Sequence, residues 1–336
     1  MKADILLQRD LTSAASEAAR AEALGLDGFL VTETKHDAFL PLALAAAATS
    51  KIEIGTSIAI ALARTPMTTA TSSYDLQRLS GGRVVLGLGS QIRPHITNRY
   101  GMPWSKPAAR MREYVCAMHA IWDCWQHGTK LDFRGDFYTH TLMTPMFDPG
   151  PVPSGNPKVL LAAVGALMTE AAGEVADGLI CHPFSSVEYL RAHTLPAVAA
   201  GRERAGRNDA DFEFAGMVML ATGRTEAEMQ AAIAGTRRQI AFYASTPAYR
   251  PVLEQHGWGA LQEELNALSK RGEWDEMGRR ITDDVLGTFA IVAEPEKAGA
   301  LVRSRFGGLL DRVSLSLPYE ADEGLVAEVL AGVRTA

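Results

Sequence analysis

Leu79-Ser-Gly-Gly-Arg-Val-Val-Leu-Gly-Leu-Gly-Ser-Gln-Ile-Arg-Pro-His95 is the stretch whose reading decides the fold. Its apolar run from Val84 to Leu88 starts β-branched and is bounded by Gly81-Gly82 before and Gly89-Ser90-Gln91 after, which reads as a buried strand opening into a loop. Ser90, Gln91, Arg93 and His95 then crowd into the few residues beyond it. Parallel α/β sheets and barrels place their chemistry at such strand ends. This loop is therefore read as a wall of the active site.

Working outward, the same unit recurs. Ala3 to Leu7 is a short apolar strand, followed by an Ala-rich helix over 12–24 with Thr12 or Ser13 as N-cap and Gly25 as its stop. Gly28 to Thr32 is a strand, the loop Glu33-Thr34-Lys35-His36-Asp37 follows, and a helix covers 39–49. Ile52 to Ala61 is a β-branched strand with a helix over 67–79, and a long amphipathic helix over 107–125 follows the fourth strand, with proline near its start. After residue 157 come strands at 158–163, 178–181, 212–221 and 312–317, with helices at 167–175, 186–205, 295–306 and the C-terminus. Thr225-Glu-Ala-Glu228 has capping-box spacing ahead of a helix to about Tyr243. Residues 284–293 are apolar.

Eight strands nearly all separated by helices predict a parallel (β/α)8 TIM barrel closed by outer helices. A doubly wound sheet is the competitor, but Gly87-Leu88-Gly89-Ser90-Gln91-Ile92 lacks the third glycine of a dinucleotide fingerprint. The whole chain, 1–336, reads as one barrel domain. It carries a Gly- and Pro-punctuated insertion at about 128–157, with a β-ribbon from Leu131 to Tyr138, and an extra segment of two short helices at about 246–282.

Composition narrows the function. With 336 residues, 47% hydrophobic and 21% charged, the chain has the make-up of a globular enzyme. A net charge of −6 without any basic tract argues against nucleic acid or anionic membranes as partners. Cys116, Cys124 and Cys181 have neither disulfide-framework nor zinc spacing, so no metal is expected. The N-terminal apolar run is broken by charges, and no stretch reaches the ~18 apolar residues of a spanning helix. A cytoplasmic protein is expected.

Ala63-Arg64-Thr65-Pro66, Leu76 to Leu79, Ser80-Gly81-Gly82-Arg83 and Gly87-Leu88-Gly89 together resemble the bacterial luciferase-like family of flavin and deazaflavin oxidoreductases. Gly55-Thr56-Ser57-Ile58, Trp122, Ala176-Asp177-Gly178-Leu179-Ile180 and the closing Arg305-Phe306-Gly307-Gly308 with Asp311-Arg312-Val313 extend the resemblance along almost the whole chain. The Gly55–Ile58 match points to the branch that uses coenzyme F420, of the glucose-6-phosphate dehydrogenase and methylene-tetrahydromethanopterin reductase type. That resemblance implies a cis peptide at Ser57-Ile58, backing the deazaflavin ring, with Gly89, Ser90 and Gln91 bordering it. It also implies that Ala163, Val164 and Gly165 meet the cofactor phosphate at a helix N-terminus, with His182 beside the tail. The sugar-phosphate dehydrogenase has an Asp-His pair after strand two and a Glu after the fourth-strand glycines. Here Glu33, Thr34 and Ile92 stand at those positions, so its substrate is not carried over.

Each candidate has a plainer reading. His36 beside Asp37 suits proton transfer, and equally a solvated loop in which Asp37 caps the next helix. Gln91 and His95 suit hydrogen bonds to the deazaflavin carbonyl or N1 region, while His95 is equally a surface residue. Gly165 lets backbone amides approach an anion or simply makes a tight turn, and His182-Pro183 after an apolar strand favours a pocket role. Arg64 and Arg83 are assigned to barrel stability, Tyr243, Tyr249 and Arg250 to packing over the extra segment, and Met217 and Met219 to the core.

The expectation is thus an F420-dependent oxidoreductase acting on a small organic substrate, with catalytic candidates Glu33, His36, Gln91 and His95. An FMN-dependent monooxygenase on the same barrel and a non-catalytic cofactor-binding barrel are the alternatives. The resemblance is compatible with a homodimer, since relatives associate through outer helices, but no sequence feature requires one.

Overall fold

Glycine-punctuated apolar runs become strands and the amphipathic stretches between them become helices. The structure, a computed structural model, describes residues 1–7, 10–207 and 211–335. Its strands are β1 (Lys2–Leu6), β2 (Gly28–Val31), β3 (Glu53–Ile60), β4 (Val84–Gly89), β5 (Phe133–Arg134), β6 (Thr139–His140), β7 (Lys158–Ala163), β8 (Gly178–Cys181), β9 (Glu213–Ala221), β10 (Ala290–Val292) and β11 (Arg312–Ser316). β5 and β6 pair only with each other; the rest follow the order β10-β9-β11-β1-β2-β3-β4-β7-β8, and a further β9–β8 pairing closes eight of them into a ring. Residue ladders between β2 and β3, β3 and β4, β4 and β7, and β9 and β11 are all parallel. This is the expected (β/α)8 barrel. By contacts the chain falls into two compact units, one of Leu6–Ile180 and Ala197–Glu213, the other of Met1–Ile5, Cys181–Pro196 and Phe214–Ala336.

In the larger unit, β3 and β4 lie so close that a Cβ on Gly55 would come 2.2 Å from the Val85 carbonyl oxygen, and one on Gly87 2.1 Å from that of Thr56. Only glycine fits at either position. The Ser80-Gly81-Gly82-Arg83 block works at the opposite end of β4 from the loop. Gly81 ends the helix Pro66–Ser80 in the left-handed region, at φ 68°. The Arg83 guanidinium then donates to the carbonyls of Ala46, Thr49, Ile52 and Ser80 and to Thr49 Oγ1. One side chain thereby satisfies the C-terminal carbonyls of the helix Phe39–Ala48 and the turn leading into β3. The insertion is pinned from two sides: Gln77 donates to the Gly155 and Asn156 carbonyls, and the Glu113 carboxylate accepts the N–H groups of Asp136, Phe137 and Tyr138.

The smaller unit is held by a buried bidentate pair, Arg312 Nε to Asp4 Oδ2 at 2.6 Å and Nη2 to Oδ1 at 2.8 Å. Its core gathers Phe184, Met219, Ile240, Leu253, Leu265, Met277 and Phe289. The extra segment therefore contributes core, not decoration. It forms three helices where two were expected, Arg250–Glu254, Gly259–Lys270 and Trp274–Arg279. Residues 284–293 divide into the helix Asp283–Phe289 and β10. The expected helix over 186–205 is interrupted by a widened turn at Leu190–Thr194 just before Pro196, which cannot donate to the Ala192 carbonyl and so forces the wider winding. The capping box Thr225–Glu228 is present as expected. No helix among the described residues is long and apolar enough to cross a membrane.

Replacing Arg83 by alanine strands several buried carbonyls at once. Chemical denaturation of Arg83→Ala is expected to show a loss of about 3 kcal/mol, and a loss within measurement error contradicts the clamp.

Candidate active site

In the larger unit, the loop after β2 and the end of β3 are tied together by a chain of polar contacts. Thr32 Oγ1 donates to the Ser57 carbonyl at 3.0 Å, and the Glu33 N–H donates to the Ile58 carbonyl at 3.2 Å. The peptide between Ser57 and Ile58 is cis, and the β3–β4 register shifts between Thr56 and Ala59. Both are where the resemblance places the bulge behind a ring.

Glu33 is buried, and its Oε2 accepts from the Ile60 N–H and from Arg64 Nη1, each at 2.7 Å. Arg64 Nη2 donates to Asp37 Oδ2 at 2.6 Å, while Asp37 Oδ1 accepts the N–H groups of Phe39 and Leu40. Burial pulls the Arg64 guanidinium down, but the hydrogen bonds and charges of Glu33 and Asp37 outweigh it and hold it above its ordinary value. The helix-capping reading of Asp37 therefore holds. His36 is exposed beside it.

At the end of β4 a Cβ on Gly89 would lie 2.9 Å from the Ile58 side chain and 3.7 Å from that of Ala162, so the ends of β3, β4 and β7 meet at this glycine. Gln91 is half-buried and left-handed, at φ 58°. A residue with a Cβ holds that conformation at a cost of roughly 1 kcal/mol. Two contacts hold it: Ser90 Oγ donates to the Gln91 carbonyl, and Gln91 Oε1 accepts the Ile92 N–H at 2.9 Å. With Oε1 so used, the side-chain amide keeps its N–H donors for another partner. His95 is exposed, at the start of the wide turn His95–Arg99.

β7 ends at Ala163, and after Val164 the residue Gly165 is the N-cap of the helix Ala166–Val175, which has no side-chain cap. Space around Gly165 is open, with no atom within 4 Å of where a Cβ would stand. Backbone N–H groups at such a helix start face outward with the positive end of the dipole.

In the smaller unit His182 follows β8. Its Nδ1 accepts the Phe184 N–H at 3.1 Å, so the ring proton belongs on Nε2, which faces Tyr249 Oη at 3.0 Å. Tyr249 also stacks on the imidazole, and Tyr243 meets it edge-on. Burial pushes His182 down to about 4 and Tyr249 up to about 12. Tyr249, assigned from sequence to packing, is thus also the hydrogen-bond partner of a site candidate. Aromatic composition carried no sign of that pairing, which depends on the extra segment folding back.

The larger unit's groups sit on a parallel (β/α)8 barrel, at the ends of β2, β3, β4 and β7. The chain belongs to the luciferase-like monooxygenase family, whose model matches residues 2–312. It is 53% identical over 313 residues, 93% of this chain and 92% of the other, to an uncharacterized protein of Mycobacterium tuberculosis. It is 27% identical over 296 residues to the 5,10-methylenetetrahydromethanopterin reductase of Methanolobus tindarius, covering 87% of this chain and 84% of the relative. In fold it is similar to the coenzyme F420 dependent tetrahydromethanopterin reductase from Methanopyrus kandleri, with a TM-score of 0.78 at 21% identity, over 98% of this chain and 96% of that one.

A histidine buried in its neutral form gives stability that is complete above the ordinary value near 6.5 and is lost as pH falls toward about 4. Denaturation of wild type and His182→Asn between these pH values is expected to show a steeper acid loss in wild type; parallel curves contradict burial of a neutral ring.

Proposed function

We propose that the protein is a coenzyme F420-dependent oxidoreductase that moves a hydride between the deazaflavin and a small organic substrate. The observation that carries this reading is the meeting of three strand ends at Gly89, where a Cβ would lie 2.9 Å from the Ile58 side chain and 3.7 Å from that of Ala162. Its support from relatives is that a protein 33% identical to this chain over 172 residues is named an F420-dependent glucose-6-phosphate dehydrogenase. Fit with a phosphate-tailed ligand rests on Gly165, where a side chain would fill the open space in front of the uncapped helix Ala166–Val175.

The bound cofactor would supply the hydride. In this proposal the chain's own residues bind, orient and exclude water. Ile58 and Gly89 back the ring, Ser57, Ser90 and Gln91 border it, and the backbone from Ala163 to Gly165 receives the phosphate. Glu33 acts by fixing the loop, since its carboxylate is already committed to Arg64 and the Ile60 N–H. His36 and His95, both exposed, stand on the loops after β2 and β4 and are proposed as the exchangers of the substrate proton with solvent.

Titration of the purified protein with F420 and, separately, with FMN tests the assignment. F420 is expected to bind at least ~10-fold more tightly, a difference of about 1.4 kcal/mol. Tighter FMN binding overturns it in favour of an oxygen-dependent monooxygenase.

A further inference from the structure

Far along the chain from the site loops, the smaller unit holds a cavity that the proposed chemistry does not use. The helix Glu226–Ala244 and the short helix Trp274–Arg279 pack closely, with Gly278 against the stem of Arg238, where a Cβ would come 3.2 Å from Arg238 Cγ. Between them lies a groove of about 450 Å³ with two kinds of lining, an apolar one from Ile233, Ala234 and Gly278 and a charged one from Arg237, Arg238 and Asp275. A groove of that volume holds a small molecule.

The charges in the groove are not closed on one another. Arg237 gives Nη2 to Asp283, and its buried Nε has no hydrogen-bond partner among the described residues. Arg279, which also lines the groove, is spent on Glu276. Arg238 and Asp275 are exposed and have no ion-pair partner among the described residues, each other included. One cavity therefore offers an unspent cation and an unspent anion, from two different helices. A ligand of one sign would satisfy one of them and be repelled by the other. A ligand that carries both signs satisfies both, its carboxylate on the guanidinium and its ammonium on the Asp275 carboxylate.

We propose that this groove binds a small zwitterion, an amino acid, with its carboxylate on Arg238, its ammonium on Asp275 and its hydrocarbon part on Ile233 and Ala234. Each charged contact can be deleted from either side, by a substitution in the protein or by a missing group on the ligand. The two deletions then remove the same contact and do not add.

Ligand-observed NMR titration of the full chain tests this with leucine, whose two charges share one carbon, and with ε-aminocaproate, whose charges lie at opposite ends. The proteins are wild type, Arg238→Gln and Asp275→Asn. Thermal melts confirm that each variant is folded; the substituted side chains are exposed, so loss of fold is not expected. Wild type is expected to bind at least one of the two below about 10 mM, and each substitution to weaken that binding at least ~10-fold. The analogues without the ammonium, isocaproate and caproate, are expected to bind wild type at least ~10-fold more weakly and to be indifferent to Asp275→Asn. A wild type that binds neither amino acid overturns the proposal. So does binding that ignores both substitutions, or that is as tight for the analogue as for the amino acid. F420 binding by any of these forms bears only on the cofactor assignment.

Discussion

The Glu33 carboxylate is the contact on which the site depends. It takes the Ile60 N–H and the Arg64 guanidinium at 2.7 Å each, and Arg64 passes the constraint on to Asp37 and hence to the start of the helix Phe39–Ala48. A buried carboxylate that lost Arg64 would be left uncompensated, so neither partner can be removed alone without a cost of about 3 kcal/mol or more. That ion pair fixes the loop after β2 to the chain leaving β3. The bulge at Ser57-Ile58 is held between the two by Thr32 and the Glu33 N–H.

Labour is divided between the two ends of β4. Arg83, at its start, satisfies carbonyls of the preceding helix and turn and gives rigidity. Gln91, just past its finish, is left-handed, with Oε1 spent on the Ile92 N–H and the side-chain amide left for another partner. Stability at one face and chemistry at the other is the general arrangement of parallel barrels. In the proposed function a single strand with its two flanking turns carries both.

Much of this was legible in the chain. Val84 to Leu88 announces its strand by hydrophobicity and flanking glycines; that no side chain fits at Gly55 or Gly87 shows only in the packing. The Gly55–Ile58 resemblance located the cis peptide, which no propensity reveals. Other features were hidden because they depend on residues far apart in sequence. Tyr249 meets His182 across 67 positions, and Glu33 meets Arg64 across 31. Gln91 gave no local sign of its positive φ, since glutamine does not favour that region and only the Ser90 and Ile92 contacts hold it there. The third helix of the extra segment was lost to short length: a six-residue stretch such as Trp274–Arg279 has too few turns for periodicity to register.

A crystal structure of the protein soaked with F420 puts the central claim to the most direct trial. The account predicts ring density lying flat on the Ser57-Ile58 peptide beside Gly89, with the phosphate within hydrogen-bond reach of the first N–H groups of the helix Ala166–Val175. A ring seated elsewhere, or a phosphate remote from Gly165, contradicts it.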